Sequence, residues 1–427
     1  MKKIILVASL FLLNTYQAQF KVNVTAPSSF TPSELYIYTL NGSKDVLAGK
    51  ATRKGNTWDL AVKEPYAGMM KLYIPETNAS INFIAENKDI RLNLEVDKNK
   101  ITNVDYLDPA NKLMSQLQDV QQKKEVILPA LYQIKAYYKS SSPFASALDQ
   151  EINRLSSSND SLNGFPFVNF YNTNYSKFLE KSADKKKITH DDIISFITKS
   201  NEFLESSSLL KPVLIAYLNI SPKEAIPTHI DQLLAAVNVE TPRGQTVMSE
   251  LIEIFDTYSM QDLKTRYLTQ AKNLKCTINE RLSQTIENNL ATEIGATFPN
   301  QNFVRATNTN AKSLLEVKAD KKIIIFWAST CAHCENELPK IIEKYRSIKA
   351  LNGEVIAFSL DNDMTAYSAK VKMLPWINDS ELKGWNSSYA EKYNLHATPT
   401  YFVLDQNNKI IAKPDHAADV ISYLKLN

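Results

Sequence analysis

Cysteine is scarce in this chain. Cys276, Cys331 and Cys334 are the only three in 427 residues, too few for a small disulfide-stapled scaffold. Glycine is scarce as well: no pair among the nine glycines has the spacing of a G-x-G-x-x-G turn or a G-x-x-x-x-G-K-S/T phosphate loop, which excludes both nucleotide-binding motifs. An excess of one charge is also missing. The formal net charge is +3, so nothing in it marks a nucleic-acid binder. Beyond the N-terminus no uninterrupted apolar run approaches the length of about 18 residues that a membrane-crossing helix needs. What remains is a globular composition, 44% hydrophobic and 22% charged, long enough at roughly 150 residues per domain for about three domains.

The N-terminus reads as an address. Met1-Lys2-Lys3 is a short basic start, residues 4–13 are a ten-residue apolar run, and the polar stretch after it contains the small residue Ala18. That is the pattern of a secretory signal peptide over residues 1–18. Ten residues reach about 15 Å as a helix, half of a hydrocarbon core of about 30 Å, so cleavage is expected rather than an uncleaved anchor. No cysteine stands near Ala18 to carry a lipid, and the mature chain, nearly neutral, is expected to be soluble.

Three regions follow. In segments 20–24, 35–38, 58–62, 70–74 and 90–96 apolar and polar residues alternate, which predicts half-buried antiparallel strands. Asn41-Gly42, Lys54-Gly55-Asn56 and Asn87-Lys88-Asp89 supply turns. A small antiparallel β-sandwich is expected over residues 19–106. A helical pattern then begins at Asp108-Pro109 and lasts to about residue 291. Thr189-His190-Asp191-Asp192, Thr241-Pro242 and Thr277-Ile278-Asn279-Glu280 read as helix starts. Val247, Leu251, Ile254 and Phe255 form one apolar stripe. Residues 107–291 are therefore expected to be an all-α bundle whose stripes are core, with the Lys-rich run 181–187 as a solvated turn. From residue 292 strands and helices alternate: strand 303–306, the continuous apolar run 322–327 typical of a doubly covered central strand, helix 331–349, strand 354–360, helix 365–373, a hairpin of 400–404 and 409–412, and a closing helix 415–426. Residues 292–427 are thus expected to be an α/β domain.

The chemistry falls where strand 322–327 meets the next helix. Phe326-Trp327-Ala328-Ser329-Thr330-Cys331-Ala332-His333-Cys334 puts two cysteines at i and i+3 on a helix N-terminus. A thiolate there faces unpaired backbone N–H groups and the positive end of the helix dipole, which makes it a better nucleophile and leaving group. Cys331 is the expected nucleophile. Cys334, one turn on, can reach the sulfur of a mixed disulfide and release the substrate. A cationic His333 would further stabilise the thiolate, with Glu335 and Glu337 partly opposing it.

Residues 292–427 resemble the thioredoxin superfamily, in particular the periplasmic thiol-disulfide oxidoreductases typified by TlpA and ResA. The resemblance rests on Phe326-Trp327-Ala328, Cys331-Ala332-His333-Cys334, Pro339 five residues later, Ala397-Thr398-Pro399-Thr400 before the hairpin, and the lead-in Ile294-Gly295-Ala296-Thr297-Phe298-Pro299. Upstream, the β region resembles the small N-terminal domain that precedes such modules in Bacteroidetes proteins. The resemblance implies a thioredoxin-like fold, a redox-active Cys331–Cys334 pair, a cis Pro399 beside it, and a Thr398 backbone that pairs with an extended substrate peptide. It also implies a periplasmic location, protein thiol or disulfide substrates, a membrane electron donor or acceptor, and no cofactor. Two departures stand out. The buried Asp that thioredoxin carries before Phe-Trp is Ile325 here, so Asp361, or next to it Asp363, is the expected proton acceptor. The inner dipeptide Ala332-His333 lacks the usual Pro and is similar to DsbA-type oxidants in its His, which leaves the direction of electron flow open.

Other readings carry less. A zinc site would need a second pair of ligands, whereas Cys276 stands alone and His190, His229, His396 and His416 are scattered along the chain. A permanent structural bridge between Cys331 and Cys334 would close a very short loop and stabilise little. Cys276 reads as an idle thiol, His396 as a surface residue near the substrate groove, and Trp327 as packing that shields the active site. The peroxidase pattern P-x-x-x-T-x-x-C is absent. The alternative from a different class is a cell-envelope binding or scaffold protein in which the β and helical regions do the work and the thioredoxin-like module is accessory.

Overall fold

A computed structural model describes residues 20–156, 162–180 and 187–426. The segment read as a signal peptide and all but the last residue of the Lys-rich run 181–187 lie outside the described residues. The chain divides into two compact units, one running to Thr39 and from Val46 to Thr173, the other made of Leu40–Asp45 and Asn174–Asn427.

In the first unit the alternating segments form strands β1 (Phe20–Thr25), β2 (Glu34–Asn41), β3 (Lys44–Thr52), β4 (Thr57–Val62), β5 (Ala67–Ile74), β6 (Ala79–Glu86), β7 (Ile90–Asp97) and β8 (Lys100–Tyr106). They make two four-stranded sheets, ordered β4-β1-β7-β8 and β3-β2-β5-β6. Phe20, Val22 and Val24 alternate inward on β1, and Trp58, Phe30 and Leu72 share their core. The pairing is antiparallel as expected, with one correction: β1 runs parallel to β7. Helix α1 (Pro109–Lys135) starts on an Asp108 cap. It is pinned to β6 by Asn111, which exchanges two hydrogen bonds of 2.7 and 2.8 Å with the Ile84 backbone. Helices α2 (Pro143–Ser156) and α3 (Pro166–Phe178) follow, and the boundary between the units falls within α3.

The second unit begins with α4 (His190–Lys199), α5 (Phe203–Ser206), α6 (Leu210–Asn219), α7 (Ile226–Val237), α8 (Pro242–Thr257), α9 (Gln261–Lys272) and α10 (Glu280–Ala291). Helix α8 is buried along most of its length, including Val247, Leu251, Ile254 and Phe255. Thr241 caps it by accepting the Gly244 N–H at 3.1 Å. Gly244 admits no side chain, because a Cβ would lie 2.1 Å from the Asn238 carbonyl oxygen. The cap expected at Thr277 belongs instead to Asn279, whose side chain accepts from Leu282 N. His190 and His229, distant in sequence, come together with ring centroids 4.0 Å apart and both hydrogen-bond the Ser221 hydroxyl.

The α/β part of this unit is a five-stranded sheet ordered β11-β10-β9-β12-β13, from β9 (Lys321–Trp327), β10 (Gly353–Ser359), β11 (Ile377–Ser380), β12 (Thr400–Asp405) and β13 (Ile410–Ala412). β9 is central, parallel to β10 and antiparallel to β12. Helices α11 (Ala332–Ala350), α12 (Met364–Val371) and α14 (Ala417–Tyr423) cover one face through Leu338, Ile341, Tyr367 and Val420. The other face is covered by α13 (Ser388–Lys392) and its flanks and by the lead-in, through Tyr389, Tyr393, Phe298 and Leu314.

Two sequence expectations are corrected here. Residues 303–306 form no strand; the backbone N–H groups of Val304 and Arg305 donate to the Asp379 carboxylate instead. The polar segment Ile377-Asn378-Asp379-Ser380, which carries no strand signal, is a buried strand in which each polar side chain makes a hydrogen bond: Asn378 Nδ2 to the Trp376 carbonyl at 2.7 Å, Tyr389 to Asp379 at 2.9 Å and Ser380 Oγ to the Ser359 carbonyl at 3.1 Å. Both outer strands are lined by further chain. Gly295 N donates to the Ile410 carbonyl (2.7 Å) and Ile410 N to the Ala296 carbonyl (2.9 Å), while Thr307 N donates to the Asn378 carbonyl (2.8 Å).

Candidate active site

Strand β9 ends at Trp327 and a short loop leads to α11, whose N-cap is Cys331. Cys331 has extended backbone, φ −87° and ψ 110°, and its Sγ accepts the Cys334 N–H at 3.1 Å. A sulfur therefore occupies the place usually taken by a Ser or Asp oxygen, at the positive end of the helix. From the other side the Thr398 carbonyl accepts from Cys331 Sγ at 3.2 Å, and the Thr398-Pro399 bond is cis. Cys331 is half-buried, whereas Cys334 is 1% exposed. Burial, reinforced by the hydrogen bond to Cys331, pushes the Cys334 thiol up to about 12. The pair thus consists of one thiol that a substrate can approach and one sealed behind it.

The structure brings Cys331, Cys334 and Thr398-Pro399 together and gives the remaining expected residues other surroundings. The Asp361 carboxylate accepts from Ser329 N (3.0 Å), Ser329 Oγ (2.6 Å) and Ser359 Oγ (2.6 Å). These bonds brace the loop that presents Cys331, and none among the described residues reaches a sulfur. Asp363 caps α12 through Ala366 N. His333 is exposed on the first turn of α11. The two nearby acids are engaged elsewhere, Glu335 with Lys370 at 2.7 Å and Glu337 with Lys340 at 2.6 Å and with Ala417 N. Trp327 is 1% exposed, tilted beside Tyr367. With Leu338, Pro339, Ile342, Met373 and Leu374 it lines a largely apolar cavity of about 220 Å³ that reaches Cys334.

Two features escaped the sequence. Tyr401, the second residue of β12, is buried in the same core as Cys334. Among the described residues its hydroxyl has no hydrogen-bond partner, and burial together with the negative charges of Glu337 and the thiolates raises its phenol. Its place two residues after Pro399 was the available signal. His396, expected at the surface, has a side chain only 20% exposed, with Nε2 3.6 Å from Asp256 Oδ2 on α8. No local pattern announces a contact between positions so far apart in sequence.

A cysteine pair at a helix N-terminus beside a mixed β-sheet, one thiol half-buried and one sealed, with a cis-proline loop against it, defines a thioredoxin-like domain of the thiol-disulfide oxidoreductase type. A family model described as Redoxin matches residues 293–420. The chain is 30% identical over 126 residues to the thiol-disulfide oxidoreductase ResA of Bacillus thuringiensis, a match covering 28% of this chain and 68% of that protein. To the ResA of a Bacillus cereus strain it is 29% identical over 127 residues, covering 28% and 69%. Among solved structures it is similar to the thioredoxin domain of a thiol-disulfide oxidoreductase from Bacteroides vulgatus, at 20% identity, 31% and 96% coverage and a TM-score of 0.29. It is likewise similar to a domain of a possible thiol-disulfide isomerase from Cytophaga hutchinsonii, at 27% identity, 31% and 92% coverage and a TM-score of 0.28. The chain belongs to the thioredoxin superfamily, in its TlpA/ResA-like group. Among the described residues no helix is long and apolar enough to cross a membrane.

Proposed function

We propose that the protein is a periplasmic thiol-disulfide oxidoreductase that exchanges disulfides with exported proteins through Cys331-Ala332-His333-Cys334. The observation that carries this reading is the asymmetry of the pair: Cys331 half-exposed at a helix N-cap, Cys334 1% exposed behind it. The Cys331 thiolate attacks one sulfur of a substrate disulfide; a mixed disulfide forms and the second substrate sulfur leaves as a thiolate, which takes up a proton. Cys334, on losing its proton, attacks Cys331 Sγ, the Cys331–Cys334 disulfide forms and the substrate leaves fully reduced. Two electrons pass from the pair to the substrate, and the reverse sequence oxidises a dithiol. Thr398 and Pro399 hold the substrate strand beside Cys331, since the Thr398 backbone already lies 3.2 Å from that sulfur. A membrane donor or acceptor resets the pair between turnovers.

The test is trapping. Cys334→Ser is expected to accumulate mixed disulfides with periplasmic proteins, seen as gel shifts that collapse with dithiothreitol, and Cys331→Ser to accumulate none. An unmodified chain that reduces no insulin disulfide, with no partner trapped by Cys334→Ser, would leave the β and helical regions as the working parts of a scaffold protein. The midpoint potential sets the direction: a value near about −270 mV marks a reductase and one near about −120 mV an oxidant.

A further inference from the structure

The loop that carries Thr398-Pro399 is held from outside the thioredoxin-like fold. Asn394 and His396, four and two residues before Thr398, both face α8. The Asn394 side-chain amide donates to Asp256 Oδ2 at 3.1 Å and approaches Asn289 Oδ1 of α10 at 3.5 Å. Asp256 itself is fixed: its Oδ1 accepts from Lys264 Nζ of α9 at 2.6 Å, with side chains 12% and 9% exposed. His396 Nε2 lies against the same carboxylate oxygen at 3.6 Å, with no hydrogen-bond partner among the described residues. At the far end of the segment, the Thr398 carbonyl accepts from Cys331 Sγ.

A buried ion pair contributes little net stability, because desolvation offsets most of the attraction. What Lys264 does provide is a carboxylate locked in one orientation, and that carboxylate points at the loop rather than into the helical core. Burial holds the His396 imidazole below its ordinary value, with Asp256 and Glu253 of α8 opposing and Lys211 of α6 and Lys264 of α9 reinforcing. The ring is therefore neutral near pH 7 and leaves Asp256 Oδ2 to Asn394.

We propose that Asp256 is a positioning residue for thiol-disulfide exchange: by gripping Asn394 and abutting His396 it fixes the Thr398 carbonyl against Cys331 and makes the helical region part of the exchange machinery. The inference rests on the exchange reading above. The helical residues touch no reacting sulfur; they act through the loop.

The test uses the full mature chain with Asp256→Asn, which keeps the shape but not the charge, and Asn394→Gly, which removes the grip from the loop side. Glycine suits that position because Asn394 has φ +50°, and it leaves the Asp256–Lys264 pair whole should Asp256→Asn fail to fold. Two readouts are taken on folded protein. The first is steady-state reduction of a protein disulfide, where loop displacement on the ångström scale should lower kcat/KM by about 10- to 100-fold, mostly through KM. The second is the pH profile of Cys331 alkylation by iodoacetamide. The profile should shift, because the hydrogen bond from Cys331 Sγ to the Thr398 carbonyl is loosened. Wild-type values of both in folded Asn394→Gly overturn the proposal. If the wild type itself reduces no disulfide, the exchange reading fails; the alkylation profile needs no substrate, and an unshifted profile still overturns the role of Asp256.

Discussion

Cys331 and Cys334 differ less in chemistry than in surroundings. With its thiol pushed up to about 12, Cys334 holds a thiolate fraction on the order of 10⁻⁴ at pH 8. Iodoacetamide at pH 8 should therefore label Cys331 well before Cys334, read by mass spectrometry of the tryptic peptides; the opposite order would contradict the sealed position of Cys334. On the proposed exchange reading the raised thiol also means that the resolving step needs a proton acceptor, and the Asp361 carboxylate is engaged by Ser329 and Ser359. Asp361→Ala should strip a buried carboxylate's hydrogen bonds from the half-buried loop before Cys331, lowering stability in urea melts by about 2–3 kcal/mol, and should slow exchange by loosening the approach to Cys331. The cysteine pair and Pro399 were legible because a motif carries them within a few residues. Asp256, Asn394 and Tyr401 were not, because their roles come from tertiary contacts or from burial that leaves no spacing to read.

At the level of elements, α8 gathers most of the polar cost of the helical region. Arg281 of α10 reaches Glu253 at 2.6 Å and Glu250 at 3.2 Å, with side chains 2%, 14% and 0% exposed. Burial pushes both carboxyls up; for Glu253 the hydrogen bond and charge of Arg281 outweigh it, whereas Glu250 stays raised. Removing the cation strands two acids, so Arg281→Met should cost about 3–5 kcal/mol in chemical denaturation. Loss of the α8 cap in Thr241→Ala should cost only about 1 kcal/mol, and a Thr241→Ala effect as large as that of Arg281→Met would show that this ordering is wrong. The Asp108, Thr189 and Thr241 helix starts could be read because capping is local. Strand β11 could not, since Asn378, Asp379 and Ser380 look like a turn until the Trp376 carbonyl accepts from Asn378, Tyr389, Val304 and Arg305 donate to Asp379, and the Ser359 carbonyl accepts from Ser380. The short strand expected at 303–306 failed for the matching reason: its backbone donors go to a side chain rather than to a neighbouring strand.

For the whole molecule, export is the expectation with the broadest reach. Protein recovered from the periplasm should begin at Gln19 by N-terminal sequencing, and recovery with Met1 intact from the cytoplasm would contradict the signal reading. The chain handed to that compartment would meet partly unfolded clients, whose bare strands join any unpaired sheet margin they encounter. Here the hydrogen-bonding side of β13 is taken by Gly295 and Ala296, and that of β11 by Thr307. On the proposed exchange reading, a client therefore finds these margins of the five-stranded sheet already occupied, with the short stretch of backbone at Thr398 as its docking rail beside the Cys331 sulfur. On that same reading, sticky, aggregation-prone clients gain no template for further growth at those edges.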